Sequence, residues 1–433
     1  MPIYQTTSYV FEDSDQAAEL FALQRFGNIY TRIMNPTVAA FEERVAALEG
    51  GVGALGVASG HSAQFITMFT LLGEGDHIVS SKSLYGGTRT QFDITLRKMG
   101  IQTTFVDIHN LDEVKAAFTD RTRVLYAETV GNPVIDVPDL EALAKLAHDF
   151  GVPLVIDNTF ATPYLCRPFE WGADIVIHSA TKFIGGHGTS MGGVIVDSGK
   201  FPWDNGLFPG MTEPSKGYHG IRFFETFGDF GWIMKARVET LRDVGPALSP
   251  FNAFLMLQGL ETLGPRMERH IANAKLVAEW LAEHECVDWV NYPGLPGNPY
   301  RANAQKYLPK GPGAIFTFGI MGGVGAGKAF IEALQLFSHV ANVGDARSLV
   351  IHPASTTHSQ LSEDEQINAG VRPEMIRLSI GLEDIEDILW DLDNALRHAT
   401  KNPAKVKALN LNHDAHTVNP LACDVPIVSN GKA

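Results

Sequence analysis

"DIVIHSATKFIGGHGTSMGG" runs from Asp174 to Gly193. Its first part, "DIVIHS", is a short apolar run with the β-branched character of a buried strand. The run ends on Ser179, and Thr181 and Lys182 follow, with a cluster of glycines after them. A lysine in that place is either an ordinary surface cation or a buried amine held for covalent chemistry. The choice depends on what the rest of the chain brings to the same end of that strand.

Working outward, the segments "GALGVAS", "DHIVSS", "QTTFVDI", "RVLYAET", "PLVIDNT", "DIVIHS" and "GGVIVD" all read as strands. Amphipathic stretches such as "LDEVKAAF" and "DLEALAKLAHDFG" lie between several of them. Such alternation predicts an α/β fold with a mainly parallel sheet and helices on both faces. Ligands of such sheets bind beyond the carboxyl ends of the strands. That end receives Ser59 and Gly60 from "VAS", Glu128 and then Asn132 from "LYAET", Asp157 from "VID", and Ser179 to Lys182 from "VIHS". The expected organisation is an arm over 1–34, a large domain over 35–250, a smaller domain over 251–400 and a polar, proline-dotted tail over 401–433.

The chain of 433 residues is 45% hydrophobic and 19% charged, an ordinary composition for a soluble protein. A formal net charge of −15 with no basic stripe argues against nucleic-acid binding. No apolar run has the length of a membrane span, and "MPIYQTTSYVFEDSD" has no signal-peptide character. Cys166, Cys286 and Cys423 are odd in number and far apart, which suggests reduced thiols in a cytoplasmic protein.

Three features invite other readings. "GVGALG", Gly51 to Gly56, matches the dinucleotide pattern, but it follows a helical stretch and precedes a strand, the reverse of the required order. "GGVGAGKA", Gly322 to Ala329, resembles a phosphate loop, yet Ala329 stands where a magnesium-ligating hydroxyl is needed. It reads better as a glycine-rich turn from strand to helix. His178 with His187, and His352 with His358, lack the spacing of a helical zinc pair, so no metal is expected.

An aldehyde cofactor bearing a phosphate and a pyridine ring would use the residues gathered above. It needs an amine to bond covalently, an acid beside the ring nitrogen, a phosphate cradle and a ring clamp. Lys182 supplies an amine and Asp157 an acid. At about 4 Å and an effective dielectric near 20, that acid would stabilise a cationic ring by about 4 kcal/mol. The turn Ala58 to His61 offers backbone N–H groups at a helix start, Ser179 and Thr181 add hydroxyls, and Tyr85 offers an aromatic face.

With these residues in place, the sequence resembles the pyridoxal-phosphate enzymes of cysteine and methionine metabolism. The resemblance runs nearly to Thr400. It rests on "YTRIMNPTVAAFEERVAALEG", "ASGHSA", "LYGGT", "ETVGNP", "VIDNTFATPYL", "HSATKFIGGHGTSMGGVIVD", "SPFNAFLMLQGLETL", "SLVIHPASTTHSQL" and "IRLSIGLED". It implies the aspartate-aminotransferase-like fold, fold type I. It makes Lys182 the covalent attachment point, Asp157 the ring-nitrogen partner and Tyr85 the stacking residue and helper in proton transfer. Ser59, Gly60, His61, Ser179 and Thr181 would hold the phosphate. Tyr30 and Arg32 would reach the phosphate of a neighbouring subunit, in a tetramer built from two dimers. Arg377 would clamp a substrate carboxylate, with Asn132 and Ser348 lining the same pocket.

Within the family, "ANVGDARSLVIHPASTTHSQL" and "MTEPSKGYHGIRFFETFG" look most like the branch that replaces the acetate of O-acetylhomoserine by sulfide or a thiol. Methionine gamma-lyases of the family carry a cysteine after the "YG" of the stacking tyrosine, where this chain has Gly87, which argues against a lyase. Use of O-succinylhomoserine, cystathionine formation and gamma-elimination are the alternatives. Members of the family also carry an additional leading segment before the equivalent of "MPIYQTTSYV", which contributes to the neighbouring site.

Overall fold

A computed structural model describes residues 1–356, 366 and 370–400. The tail over 401–433, with Cys423, and His358 lie outside the described residues. All seven expected strands form: β1 (Gly53–Val57), β2 (His77–Ser81), β3 (Gln102–Val106), β4 (Thr122–Glu128), β5 (Leu154–Asp157), β6 (Ile175–Ser179) and β7 (Gly193–Asp197). They make one sheet in the order β1-β7-β6-β5-β4-β2-β3. Five neighbouring strands from β3 to β6 pair in parallel, whereas β7 runs antiparallel to both β6 and β1. The reversed strand returns the chain from Lys182 straight back through the sheet.

Side chains alternate across a strand, and here both faces are covered. Ile175 and Ile177 of β6 join one apolar core, and Val176 between them joins the other. Burial on both faces is why these strands, the partly exposed edge strand β3 apart, read as continuous apolar runs rather than alternating ones. The helix Pro36–Glu49 precedes β1, with Asn35 as its N-cap, Pro36 in its first turn and left-handed Gly50 (φ 83°) closing it. This order disposes of the dinucleotide reading of "GVGALG". After β1, Ser59 caps the helix Gly60–Leu71 by accepting from the Ser62 N–H at 3.1 Å.

A second sheet follows, in the order β10-β11-β12-β9-β8. Its strands are β8 (Val287–Asn291), β9 (Ile315–Ile320), β10 (Ser338–His339), β11 (Leu349–Ile351) and β12 (Met375–Ser379). Gly322, at φ 105°, closes the turn after β9, and the rest of "GGVGAGKA" forms the first turns of the helix Gly323–Ala333, with Lys328 exposed. The final described helix, Ile385–Thr400, has Glu386 and Asp387 in its first turn and Arg397 and His398 in its last, matching its dipole. Ile388, Leu392, Ala395 and Leu396 make its buried stripe. Among the described residues no helix is long and apolar enough to cross a membrane.

Candidate active site

The carboxyl ends of β1, β4, β5 and β6 open onto a cavity of about 250 Å³. Ser59, Gly60, His61, Tyr85, Asn132, Asp157, Ser179, Thr181, Lys182 and Arg377 all line it. Ten of the thirteen residues to which the resemblance gives a role therefore meet at one place, and Glu128 joins them.

The floor is built by close backbone approach. Gly193 opens β7 between Val57 of β1 and Ser179 of β6. A Cβ on Gly193 would lie 2.1 Å from the Ser59 carbonyl oxygen, so only glycine lets that turn cross the sheet edge. A Cβ on Gly60 would lie 2.6 Å from Cβ of Ser179, which presses the helix start against β6. The first N–H groups of the helix Gly60–Leu71 and the hydroxyls of Ser59, Ser179 and Thr181 thus come together. Thr181 Oγ1 accepts from the Gly192 N–H at 3.1 Å, and the Ser179 N–H donates to Thr159 Oγ1 at 2.8 Å.

Lys182 follows β6, and its Nζ donates to Oδ1 of Asn342 at 2.5 Å. Burial, and then the charge of Arg377, lower its pKa to about 8. This answers the opening question in favour of a tuned, half-buried amine. Asp157 ends β5; its Oδ1 accepts from the Thr159 N–H at 3.0 Å and its Oδ2 from Gln64 Nε2 at 3.2 Å. Directly opposite on β4 is Glu128. Burial and the neighbouring Asp157 charge hold the Glu128 carboxyl well above its ordinary pKa. Glu128 Oε1 accepts from the Tyr85 N–H at 2.8 Å and so ties that residue's backbone to the sheet.

Arg377 enters from β12, buried, and donates from Nη1 to Asn132 Oδ1 at 3.0 Å. Burial lowers its pKa to about 10, which leaves it cationic at neutral pH. The Tyr85 ring is half exposed, with its centroid 5.5 Å from that of His61.

Three expected residues lie elsewhere. Tyr30 and Arg32 sit on the exposed arm, with the guanidinium 5.3 Å from the Tyr30 ring centroid, and neither lines this cavity. Ser348 is expected to line the pocket but is fully buried away from it. Its hydroxyl donates to Glu383 Oε2 at 2.9 Å and accepts from the Gly381 N–H. The histidines considered as ligands have other partners. His178 meets Glu49 at 2.6 Å, His187 meets the Gly185 carbonyl at 2.6 Å, and His352 bonds Ser355 and the Pro373 carbonyl. Among the described residues no His, Cys, Asp and Glu side chains group as metal ligands.

Sequence reasoning missed Gln64, Thr159 and Asn342, which also line the cavity. Gln64 was findable, since it lies one helical turn beyond Gly60 on the same face. Asn342 comes from a loop of the second domain, and no local pattern marks it. A larger cleft of about 700 Å³ opens at the opposite end of the sheet, beside Asp76 and Arg121. Its charges pair among themselves, Asp76 with Arg121 and Arg123, and Arg242 with Asp243.

The cavity fits pyridoxal phosphate in its donor set. It joins a depressed-pKa lysine, an aspartate, a helix N-terminus with hydroxyls and an aromatic face. In addition, the cavity-lining Gln64 has a buried Oε1 without a hydrogen-bond partner.

Known proteins agree with this reading. The family model for Cys/Met metabolism PLP-dependent enzymes matches residues 1–397. An O-acetyl-L-homoserine sulfhydrylase of Leptospira meyeri is 56% identical over 407 residues, covering 92% of each chain. A Thermus thermophilus protein, O-acetyl-L-homoserine sulfhydrylase 1, is 56% identical over 398 residues, covering 92% of this chain and 94% of its own. Among solved structures, a Campylobacter jejuni protein described as an O-acetylhomoserine (thiol)-lyase, with N'-pyridoxyl-lysine-5'-monophosphate, superposes with a TM-score of 0.89. It is 39% identical over 92% of this chain and 95% of its own. The chain belongs to the Cys/Met metabolism PLP-dependent enzymes, with the fold of that family and pyridoxal phosphate as its cofactor.

Proposed function

We propose that this enzyme replaces the acetate of O-acetylhomoserine by sulfide, giving homocysteine, or by a thiol such as methanethiol, giving methionine. The observation that carries the reading is the 56% identity to O-acetyl-L-homoserine sulfhydrylases over 92% of the chain. When bound, pyridoxal phosphate supplies an electron sink for the charge left by proton removal from the substrate.

The chain's own residues do the rest. Arg377 binds the substrate carboxylate through its planar fork and orients the amino acid. Asn132 holds that guanidinium in place. Lys182 takes the Cα proton and moves protons at the neighbouring carbons, a task suited to an amine with a pKa of about 8. Tyr85 assists with its phenol. Asp157 would hold the ring nitrogen, and Ser59, Gly60, His61, Ser179 and Thr181 would anchor the phosphate. Tyr30 and Arg32, on the arm over 1–34, complete a neighbouring subunit's cradle, which makes the working unit at least a dimer and, in this reading, a cytoplasmic tetramer. The division at 250 assigns cofactor binding to 35–250 and carboxylate recognition to 251–400.

The test is to supply O-acetylhomoserine with and without sulfide and to identify the products. Homocysteine that forms only with sulfide supports the proposal. 2-Oxobutyrate and ammonia in the presence of sulfide would mean gamma-elimination instead. A marked preference for O-succinylhomoserine, or cystathionine formed with cysteine, would move the enzyme to another branch.

A further inference from the structure

Gly87 follows Tyr85 by two residues, and its φ is not in the left-handed region, so its backbone does not demand glycine. Space does. A Cβ there would lie 2.5 Å from both Cε1 and Nε2 of His61 and 2.6 Å from Cε1 of Tyr85. The His61 imidazole is therefore seated on the bare Cα of Gly87, with its ring tilted 48° to that of Tyr85 at a centroid distance of 5.5 Å. That distance is within the range of paired aromatic rings.

Tyr85 has few other restraints. Its backbone N–H is fixed by Glu128, but its ring is half exposed. Among the described residues no hydrogen bond holds its phenol. The plane of that ring rests on the imidazole beside it and on Gly87 beneath both.

We propose that His61, packed into the space left by Gly87, is the positioning residue for Tyr85. It sets the ring plane that Tyr85 offers to the cofactor. The inference rests on the pyridoxal-phosphate reading of the cavity. It gives the His61 side chain a task separate from the phosphate contact assigned to its backbone. It also couples Gly87 to His61, because a Cβ at 87 would press on the imidazole as well as on the Tyr85 ring.

The experiment is a double-mutant cycle of Gly87→Ala and His61→Ala, with His61→Phe as a ring-retaining variant. Each apoprotein is titrated with pyridoxal phosphate. The visible circular dichroism of the bound cofactor and the kcat and KM for O-acetylhomoserine are then recorded. Losing one aromatic-pair contact corresponds to roughly two- to tenfold. Both single variants are expected to weaken cofactor binding and lower kcat by that amount, with an altered dichroic band. In the His61→Ala background, Gly87→Ala should cost less than it does in the parent, because one of the two rings its Cβ meets is already gone. His61→Phe should fall between His61→Ala and the parent.

Losses that multiply in the double variant would overturn the inference. So would His61→Ala matching the parent in affinity and dichroism. If Gly87→Ala fails to fold, the order of parent, His61→Phe and His61→Ala decides the matter. A parent protein that takes up no pyridoxal phosphate would overturn the reading of the site itself.

Discussion

Nζ of Lys182 donates a hydrogen bond to Oδ1 of Asn342 at 2.5 Å, joining the end of β6 in the first sheet to the loop between β10 and β11 in the second. The contact holds the reactive amine toward the domain that supplies Arg377. A hydrogen bond to a charged group contributes about 1.5–3 kcal/mol. Asn342→Ala should therefore lower kcat by roughly ten- to a hundredfold, with a smaller change in cofactor affinity. Steady-state kinetics beside a cofactor titration would check this. An unchanged kcat would mean that the lysine is positioned without this amide.

The same lysine has a pH signature in the apoprotein. Its pKa falls from 10.5 to about 8 on folding. Between those values the unfolded chain carries more protons, so apoprotein stability should rise with pH through this window. The destabilisation is fully present below about pH 8 and corresponds to roughly 3 kcal/mol. Lys182→Met should accordingly raise the apoprotein's denaturation midpoint at pH 7, with the gain shrinking as pH approaches 10.5. Denaturant titrations at several pH values would show the trend. A gain that persists at high pH would trace to packing and not to the amine.

Asp157→Ala removes the charge expected beside the ring nitrogen. At about 4 kcal/mol for such a pair, kcat should drop by about three powers of ten, and the cofactor should be retained poorly. Single-turnover rates with saturating pyridoxal phosphate separate the two effects. A loss that excess cofactor fully restores would assign Asp157 to binding alone.

Arg377→Lys keeps a positive charge but loses the planar fork and the bond to Asn132. KM for O-acetylhomoserine should rise at least tenfold, whereas pyridoxal phosphate affinity should stay near the parent's. A compensating titration and a KM measurement suffice.

Most of the first sheet was legible because its strands, the edge strand β3 apart, are buried on both faces and therefore continuous in sequence, from "GALGVAS" to "GGVIVD". The rule that ligands meet strand ends then places Ser59, Asp157 and Lys182 together from sequence alone. The direction of β7 was not legible, since an apolar run such as "GVIVD" carries no mark of its polarity. Asn342 and Ser348 were obscure for a related reason. Both belong to the irregular connection between β10 and β11, where tertiary packing rather than period decides which side chain meets the cavity. The buried hydroxyl of Ser348 faces Glu383, a partner 35 residues away that local sequence does not announce.

The reversal of β7 has a consequence for how the site assembles. Because residues 180–192 connect two antiparallel neighbours, Lys182, Thr181, Ser179 and Gly193 are brought together by contacts close in sequence. Arg377 and Asn342 reach the same cavity only when a distant part of the chain docks. Contacts of short sequence separation form sooner than remote ones. A refolding chain should accordingly regain its ability to capture the aldehyde before it regains recognition of the amino-acid carboxylate. Cofactor absorbance recovering ahead of turnover would record that order.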